Sequence, residues 1–275
     1  MIKTVISAII QFVFPQNITC IICGKEIDSQ NTYSMCKDCF DEISFIKEEC
    51  MFCGKPVINK INISDDREYA ETIDEDTEYI NDRYSEYETG FLEKKKELKR
   101  CAFCEGKRFY FDRAVSCVEY CDESKKMVFS LKYYGNTYMA RYIAEIMKDK
   151  MVFDDIKGDF LIYVPLHKKR FRQRGFNQSE KIAQYLSEYT GIPALECIKR
   201  NRATKRLYNL DKSEREKELK NVFSLYNEEL IRGKHLILID DIFTTGATAN
   251  EISKVLKISG VSDITVLTFL TGAYS

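Results

Sequence analysis

Eight cysteines fall into four C-x-x-C pairs, Cys20/Cys23, Cys36/Cys39, Cys50/Cys53 and Cys101/Cys104, and no other feature of the chain limits its possible folds so sharply. Two pairs continue as C-x-x-C-G-K ("CIICGK" and "CMFCGK"), and "CAFCEGK" is a near variant. In such a knuckle a tight turn points two thiolates at one ion, and the glycine supplies the backbone freedom the turn requires. Two knuckles together complete a tetrahedral Zn2+ site. Redox dithiols or unrelated free thiols are poorer explanations for four pairs gathered before Phe109. Sequential pairing joins the first two knuckles around one zinc and the last two around another. An interleaved arrangement uses the same residues, and spacing does not choose between them. Cys117, Cys121 and Cys197 are left over, and Cys117 lies in an apolar alternation that marks a core position.

The rest of the composition mainly excludes. With 275 residues, 44% apolar and 31% charged, the chain reads as a soluble globular protein of one large or two smaller domains. A formal net charge of -1 leaves only local patches to attract nucleic acid or membrane. Two histidines, His167 and His235, argue against His-based metal centres and Ser-His-Asp chemistry. The opening "MIKTVISAIIQFVFPQNITC" has an apolar core too short to span a bilayer and no A-x-A-like cleavage site. Val5, Ile9, Phe12 and Val13 are spaced as one face of a helix that docks on the body, so a cytoplasmic location without stable membrane insertion is expected. Between the third and fourth knuckles, residues 57–100 form an insertion. Its "DDREYAETIDEDTEYINDRYSEYE" is too acidic and too poor in aliphatics to bury much surface, and "FLEKKKELKR" then reads as a short basic helix.

After Phe109 the pattern changes. "FDRAVSCVEY" alternates as a strand, "SKKMVFSLKYYG" and "NTYMARYIAEIMKDK" carry helical spacing, and "DFLIYVPL" is a short buried strand closed by Pro165. "NQSEKIAQYLSEYTG" is a helix ending at Gly191, "HLILID" a buried strand, "TANEISKVLKISG" a helix closed by Gly260, and "DITVLTFL" a last strand. Strands alternating with helices predict an α/β fold with a parallel sheet covered on both faces. The division expected is residues 1–108 for the N-terminal helix and cysteine-rich part, and 109–275 for the sheet domain.

In such sheets ligands bind beyond the carboxyl ends of the strands, and there "LILIDDIFTTGAT" places Asp240 and Asp241. Adjacent strand residues point to opposite faces, so both carboxylates reach one ligand only if the strand is already turning at Asp240. The following "TTGAT" supplies backbone N–H groups and hydroxyls ahead of a helix, a phosphate-binding arrangement, and "TANE" from Thr248 to Glu251 matches a capping box. Two carboxylates beside a phosphate loop suggest a sugar diol carrying a 5-phosphate. A Walker B strand is disfavoured, since no glycine is followed by the GK[ST] of a P-loop, and there is no GxGxxG.

This stretch resembles the phosphoribosyl pyrophosphate (PRPP) motif of type I phosphoribosyltransferases. Together with the four cysteine pairs, "YVPLHKKRFRQRGFNQSEKIAQYL" and "RNRATKRLYNLDKSEREKELKNVF", it makes nearly the whole chain outside the insertion similar to the ComF family of competence-associated proteins. The resemblance implies a double zinc ribbon followed by a type I phosphoribosyltransferase-like domain. It implies that Asp240 and Asp241 hold the ribose hydroxyls, and that Thr244, Thr245, Gly246, Ala247 and Thr248 wrap the 5-phosphate. The loop after "LIYVP", with His167, Lys168, Lys169, Arg170, Arg172 and Arg174, corresponds to the pyrophosphate loop. Structural Zn2+ and PRPP-borne Mg2+ are the implied cofactors. Arg200, Arg202 and Lys205 lie in the segment corresponding to the mobile catalytic loop. Here the chain departs from the family, with Leu207 for a glutamine and Glu218 for an asparagine.

Binding PRPP and transferring its sugar are separate claims. Thr244 stands where 6-oxopurine transferases place a carboxylate, which argues against that chemistry. The function expected is PRPP binding in the service of DNA uptake or utilisation, with single-stranded DNA and the uptake machinery as partners. An active transferase of nucleotide salvage and a non-catalytic PRPP sensor are the alternatives. "KKRFRQRGF" offers five basic residues and two Phe to a single strand, although its place in the pyrophosphate loop accounts for the same residues.

Overall fold

The computed structural model describes residues 18–28, 31–56, 101–204 and 218–272. The expected N-terminal helix, the insertion with its basic helix, and Lys205 and Leu207 lie outside these residues. Among the described residues, no helix is long and apolar enough to cross a membrane.

Five strands form one parallel sheet: β1 (Arg113–Glu119), β2 (Phe160–Tyr163), β3 (Ala194–Leu195), β6 (His235–Phe243) and β7 (Asp263–Thr271), in the order β1-β7-β6-β2-β3. A separate antiparallel pair joins β4 (Ile198–Arg200) to β5 (Phe223–Leu225). The helices are α1 (Lys37–Asp41), α2 (Asp122–Tyr133), α3 (Met139–Phe153), α4 (Lys168–Arg174), α5 (Gln178–Thr190) and α6 (Ala247–Ile258). The sequence reading anticipates β1, β2, β6 and β7 and the four longer helices. It misses β3, β4 and β5, which at two or three residues are too short to carry a period. Leu236 to Ile239 are all buried, because helices cover both faces of β6. Met127, Val128 and Leu131 of α2 and Ile182, Ala183 and Leu186 of α5 pack on one face, with Ile237, Ile239, Leu267 and buried Cys117. Ile252 and Leu256 of α6 pack on the other, with Leu236, Leu238, Ile264 and Val266.

The cysteine-rich segment clasps the sheet edge. Cys20, Met35, Cys36, Cys39 and Ile43 join the core on the α2–α3 face. Cys50, Phe52, Cys53 and Cys104 join the core on the α6 face. Between them the chain crosses β1: Ile46 N–H donates to Cys117 O (2.9 Å), and Glu119 N–H donates to Ser44 O (2.9 Å), around an antiparallel bridge from Phe45 to Val118. The open edge of the parallel sheet is thereby closed by the chain's own backbone. A buried charge cluster fixes the crossing, with Lys150 Nζ 3.0 Å from Glu49 Oε2 and 3.1 Å from Asp154 Oδ2 while donating to Ile46 O.

The topology also sets where a ligand binds. From β2 the chain leads through α5 outward to β3; from β6 it leads through α6 the opposite way to β7. The carboxyl ends of β2 and β6 therefore flank a switch point, the place where ligands bind in open α/β sheets.

Candidate functional site

The eight paired cysteines gather as two tetrads in the sequential arrangement, Cys20/Cys23/Cys36/Cys39 and Cys50/Cys53/Cys101/Cys104, with all sulfurs of a tetrad within 4.8 Å of one another. Neighbouring Sγ atoms are 3.6 Å apart at Cys23–Cys36, 3.5 Å at Cys50–Cys104 and 3.4 Å at Cys53–Cys101. A tetrahedron with Zn–S bonds of ~2.3 Å has edges of about 3.8 Å, so this all-sulfur donor set fits Zn2+ after a small expansion. The first and third knuckles share one hydrogen-bond scheme. In one, Cys20 N–H donates to Lys25 O and Gly24 N–H to Cys20 O; in the other, Cys50 N–H donates to Lys55 O and Gly54 N–H to Cys50 O. Crowding also splits the thiols. A hydrogen bond from the Cys53 thiol draws Cys50 down to about 4, and the same bond pushes Cys53 far up. A bound cation relieves that conflict by favouring the thiolate throughout.

Gly54 has a second duty. Its φ is +64°, and a Cβ there would lie 2.7 Å from Ala114 O, so the third knuckle rests directly on the backbone of β1. Lys55, fully buried, donates to Gly272 O at 2.8 Å and lies 4.4 Å from the Phe103 ring centroid. The second tetrad is thus anchored just past β7, close to the loop that follows β6.

At the end of β6 the expected turn at Asp240 does not occur. Pairing with β7 runs on through Phe243, yet the two carboxylates stay close enough to interact directly, and helices of the same face, α2 and α5, meet them. Asp241, 3% exposed, forms an ion pair with Lys132 at the end of α2. Asp240 Oδ1 accepts from Ser179 Oγ (3.0 Å), in the first turn of α5, and from Asp241 N–H (2.9 Å). Burial and the adjacent Asp241 charge push the Asp240 carboxyl up to about 7. Neither Lys132 nor Ser179 is singled out by sequence reasoning, because each is brought to β6 by a packed helix and not by any local spacing.

The segment expected as a pyrophosphate loop is largely the helix α4, since nothing between His167 and Gly175 interrupts helical geometry. His167 Nδ1 caps it by accepting from Lys169 N–H at 3.2 Å. The helix sorts its cations: Lys168, Lys169 and Arg172 are exposed, while Arg170 and Arg174, one turn apart, are half-buried. Burial lowers the Arg174 guanidinium from its usual range, against the opposing charge of Asp241. Arg200 in β4 is 7% exposed. Burial holds it down to about 10, the charge of Arg170 adds to that effect, and Asp240 opposes it. Its Nε is buried without a hydrogen-bond partner. Arg202 instead pairs with Glu218 at 3.3 Å, so the departure at Glu218 ties the two ends of the charged loop together.

The capping box expected at Thr248 is absent. Helix α6 begins at Ala247, with Gly246 at φ +79° as its N-cap, which places Thr248 inside the helix. Glu251 accepts from Asn221 N–H instead (2.9 Å). A Cβ on Gly246 would meet Phe243 Cζ at 2.7 Å, so only glycine permits this turn. Thr244 is exposed, and Thr245 Oγ1 accepts from Ala247 N–H at 3.4 Å. Thr245, Gly246 and Ala247 line a cavity of about 290 Å³ whose opposite wall is Lys107, Arg108 and Phe109, just beyond the fourth knuckle.

A sequence profile of the double zinc ribbon domain matches residues 9–73. The "DNA utilization protein YhgH" of Salmonella typhi is 30% identical over 172 residues, covering 60% of this chain and 75% of that protein. The "Competence protein F" of Haemophilus influenzae is 30% identical over 175 residues, covering 61% and 76%. Among solved structures, a purine phosphoribosyltransferase from Pyrococcus horikoshii aligns with 13% identity and a TM-score of 0.29, over 48% of this chain and 80% of that one. Identity of this degree across three quarters of such relatives places the chain in the ComF/YhgH family, with its double zinc ribbon joined to an α/β domain built on a five-stranded parallel sheet.

Proposed function

We propose that the chain binds PRPP, or a closely related sugar phosphate, at the carboxyl ends of β2 and β6, and that it serves the uptake or use of DNA. The observation that carries the ligand reading is Arg200. A guanidinium buried beside a second one, with an unpartnered Nε, is costly unless an anion completes it. Asp240 and the phosphate loop lie on the same end of the sheet, which matches a ligand with a diol between two phosphate groups. Asp240 and Asp241 accept hydrogen bonds from the ribose hydroxyls, Thr245 to Thr248 receive the 5-phosphate, and Arg170, Arg174 and Arg200 receive the pyrophosphate. Mg2+ carried on the pyrophosphate oxygens supplies further neutralisation there. Asp241 is already held by Lys132 and Asp240 by Ser179, so the protein itself offers that ion few direct ligands. Lys169 and Arg172 face solvent and act at longer range.

The DNA role rests on relatives named for competence and DNA utilization. Calorimetry with PRPP and Mg2+ tests the ligand reading. Saturable binding that disappears in the Asp240→Asn/Asp241→Asn double variant, with zinc content unchanged, supports it. Absence of binding in the wild type overturns it.

A further inference from the structure

One strip of the surface has no part in the site just described. Tyr120, Phe129 and Tyr133 are exposed aromatics, at 45%, 37% and 65%. Lys125, Phe129 and Tyr133 recur every fourth residue along α2, on the face opposite its buried Met127, Val128 and Leu131. The strip alternates ring and cation. Lys125 Nζ lies 5.8 Å from the Tyr120 ring and 5.6 Å from the Phe129 ring; Phe129 meets Tyr133 edge-on at 5.4 Å; Arg174 of α4 lies 5.8 Å from the Tyr133 ring. At that end the strip reaches the ligand site, since the residue before Tyr133 is Lys132, which holds Asp241.

Charge narrows the occupant. No acidic residue occurs from Ser124 to Ala144 or from Phe160 to Ser179, the two segments that build this face, although the whole chain is at -1. Lys168, Lys169 and Arg172, with Phe171 at 44% exposure, extend the same basic and aromatic character along α4. Rings left in water beside cations, with Glu119, Asp122 and Glu123 confined to the Tyr120 end and no acid from there to Tyr133, suit a polyanion whose units carry flat π faces. A duplex hides those faces within its stack.

We propose that the Tyr120–Phe129–Tyr133 strip is a stacking platform for single-stranded nucleic acid, which it leads toward Asp240 and Asp241. Bases stack on Phe129 and Tyr133, Lys125 pairs with a phosphate, and α4 guides the backbone. The proposal rests on the reading of the chain as a DNA-handling protein and does not depend on PRPP.

The test is fluorescence anisotropy with a labelled oligothymidylate of ~20 nucleotides, across a salt series, on the full chain in its zinc-bound form. The Phe129→Ala/Tyr133→Ala variant is expected to weaken binding at least about tenfold. Lys125→Ala is expected to reduce the salt slope by about one. Both side chains of the double variant are exposed, and an unchanged unfolding transition verifies its fold. Unaltered oligonucleotide affinity in that variant overturns the platform, as does a wild type that binds no single strand at low salt. An equal loss of duplex binding overturns the stacking role. A changed oligomeric state without a change in oligonucleotide affinity assigns the strip to protein contacts instead. PRPP calorimetry on the same samples separates failure of the platform from failure of the sugar-phosphate site.

Discussion

Ser179 donates a hydrogen bond to Asp240 across 3.0 Å, linking the first turn of α5 to the end of β6 at the point where Asp240 also accepts from the Asp241 backbone. The Asp240 carboxyl nevertheless sits near 7, raised by burial and by its neighbour's charge. A raised carboxyl favours its neutral form in the fold, so its stabilising contribution is present at low pH and fades as pH rises through 7. Ligand binding runs the other way, because accepting two hydroxyl hydrogen bonds requires the ionised form. PRPP affinity is expected to rise about tenfold per pH unit below 7 and to level off above it. Asp240→Asn removes that proton dependence, and Ser179→Ala moves its midpoint upward. Calorimetry between pH 6 and 8 reads both effects.

Arg200 and Arg202 sit two residues apart and are expected to behave differently. Arg200→Ala is predicted to weaken PRPP and pyrophosphate binding by about ten- to a hundredfold, since a buried charge-assisted contact is lost. Thermal stability should hold or improve when an incompletely satisfied buried cation is removed. Arg202→Ala breaks only a partly exposed pair with Glu218 and is expected to change affinity less than about threefold.

Lys150 is the cation that Glu49 and Asp154 share, with side-chain exposures of 6%, 8% and 11%. Lys150→Ala leaves two buried carboxylates facing each other, with Arg113, among the described residues, near both at 3.5 Å and 3.6 Å. A loss of about 3–5 kcal/mol is expected from urea unfolding. A loss below about 1 kcal/mol defeats the view that this cluster pins the crossing segment.

Gly54→Ala is expected to cost about 2–4 kcal/mol, because it adds both a left-handed backbone penalty and a 2.7 Å contact with Ala114 O. Gly24, with nothing within 4 Å of its added Cβ, bears only the backbone penalty. Gly24→Ala should therefore destabilise the fold by about 1–2 kcal/mol.

Metal analysis is expected to find two Zn2+ per chain and to lose one in Cys50→Ser and the other in Cys20→Ser. Loss of the second site should weaken PRPP binding more than loss of the first. The reason is positional: Phe109 stacks on Phe111 at 4.6 Å, and Phe111 meets Phe243, next to the Thr244–Gly246 turn proposed to receive the 5-phosphate.

Much of this was legible in the linear order of residues. Cysteine spacing points to zinc and to eight candidate ligands because a knuckle is local, its hydrogen bonds closing within six residues, whereas which knuckles share an ion was decided by the fold. The apolar runs of β6 and β7 and the fourfold spacing in α2, α5 and α6 are local as well, so their periods survive in the sequence. The pair Asp240–Asp241 ahead of "TTGAT" points to a diol and a phosphate for the same reason. Residues that act only through packing leave no such trace. Lys132 reaches Asp241 from a helix more than a hundred positions away, Ser179 reaches Asp240 across the switch point, and Arg200 is buried by a strand too short to read. The continuation of β6 to Phe243 and the start of α6 at Ala247 were decided by pairing with β7 and by the space left at Gly246. The clasp of the cysteine-rich segment around β1 is likewise tertiary: an open sheet edge accepts whatever backbone can reach it, and only the folded chain shows that Ser44 to Ile46 does.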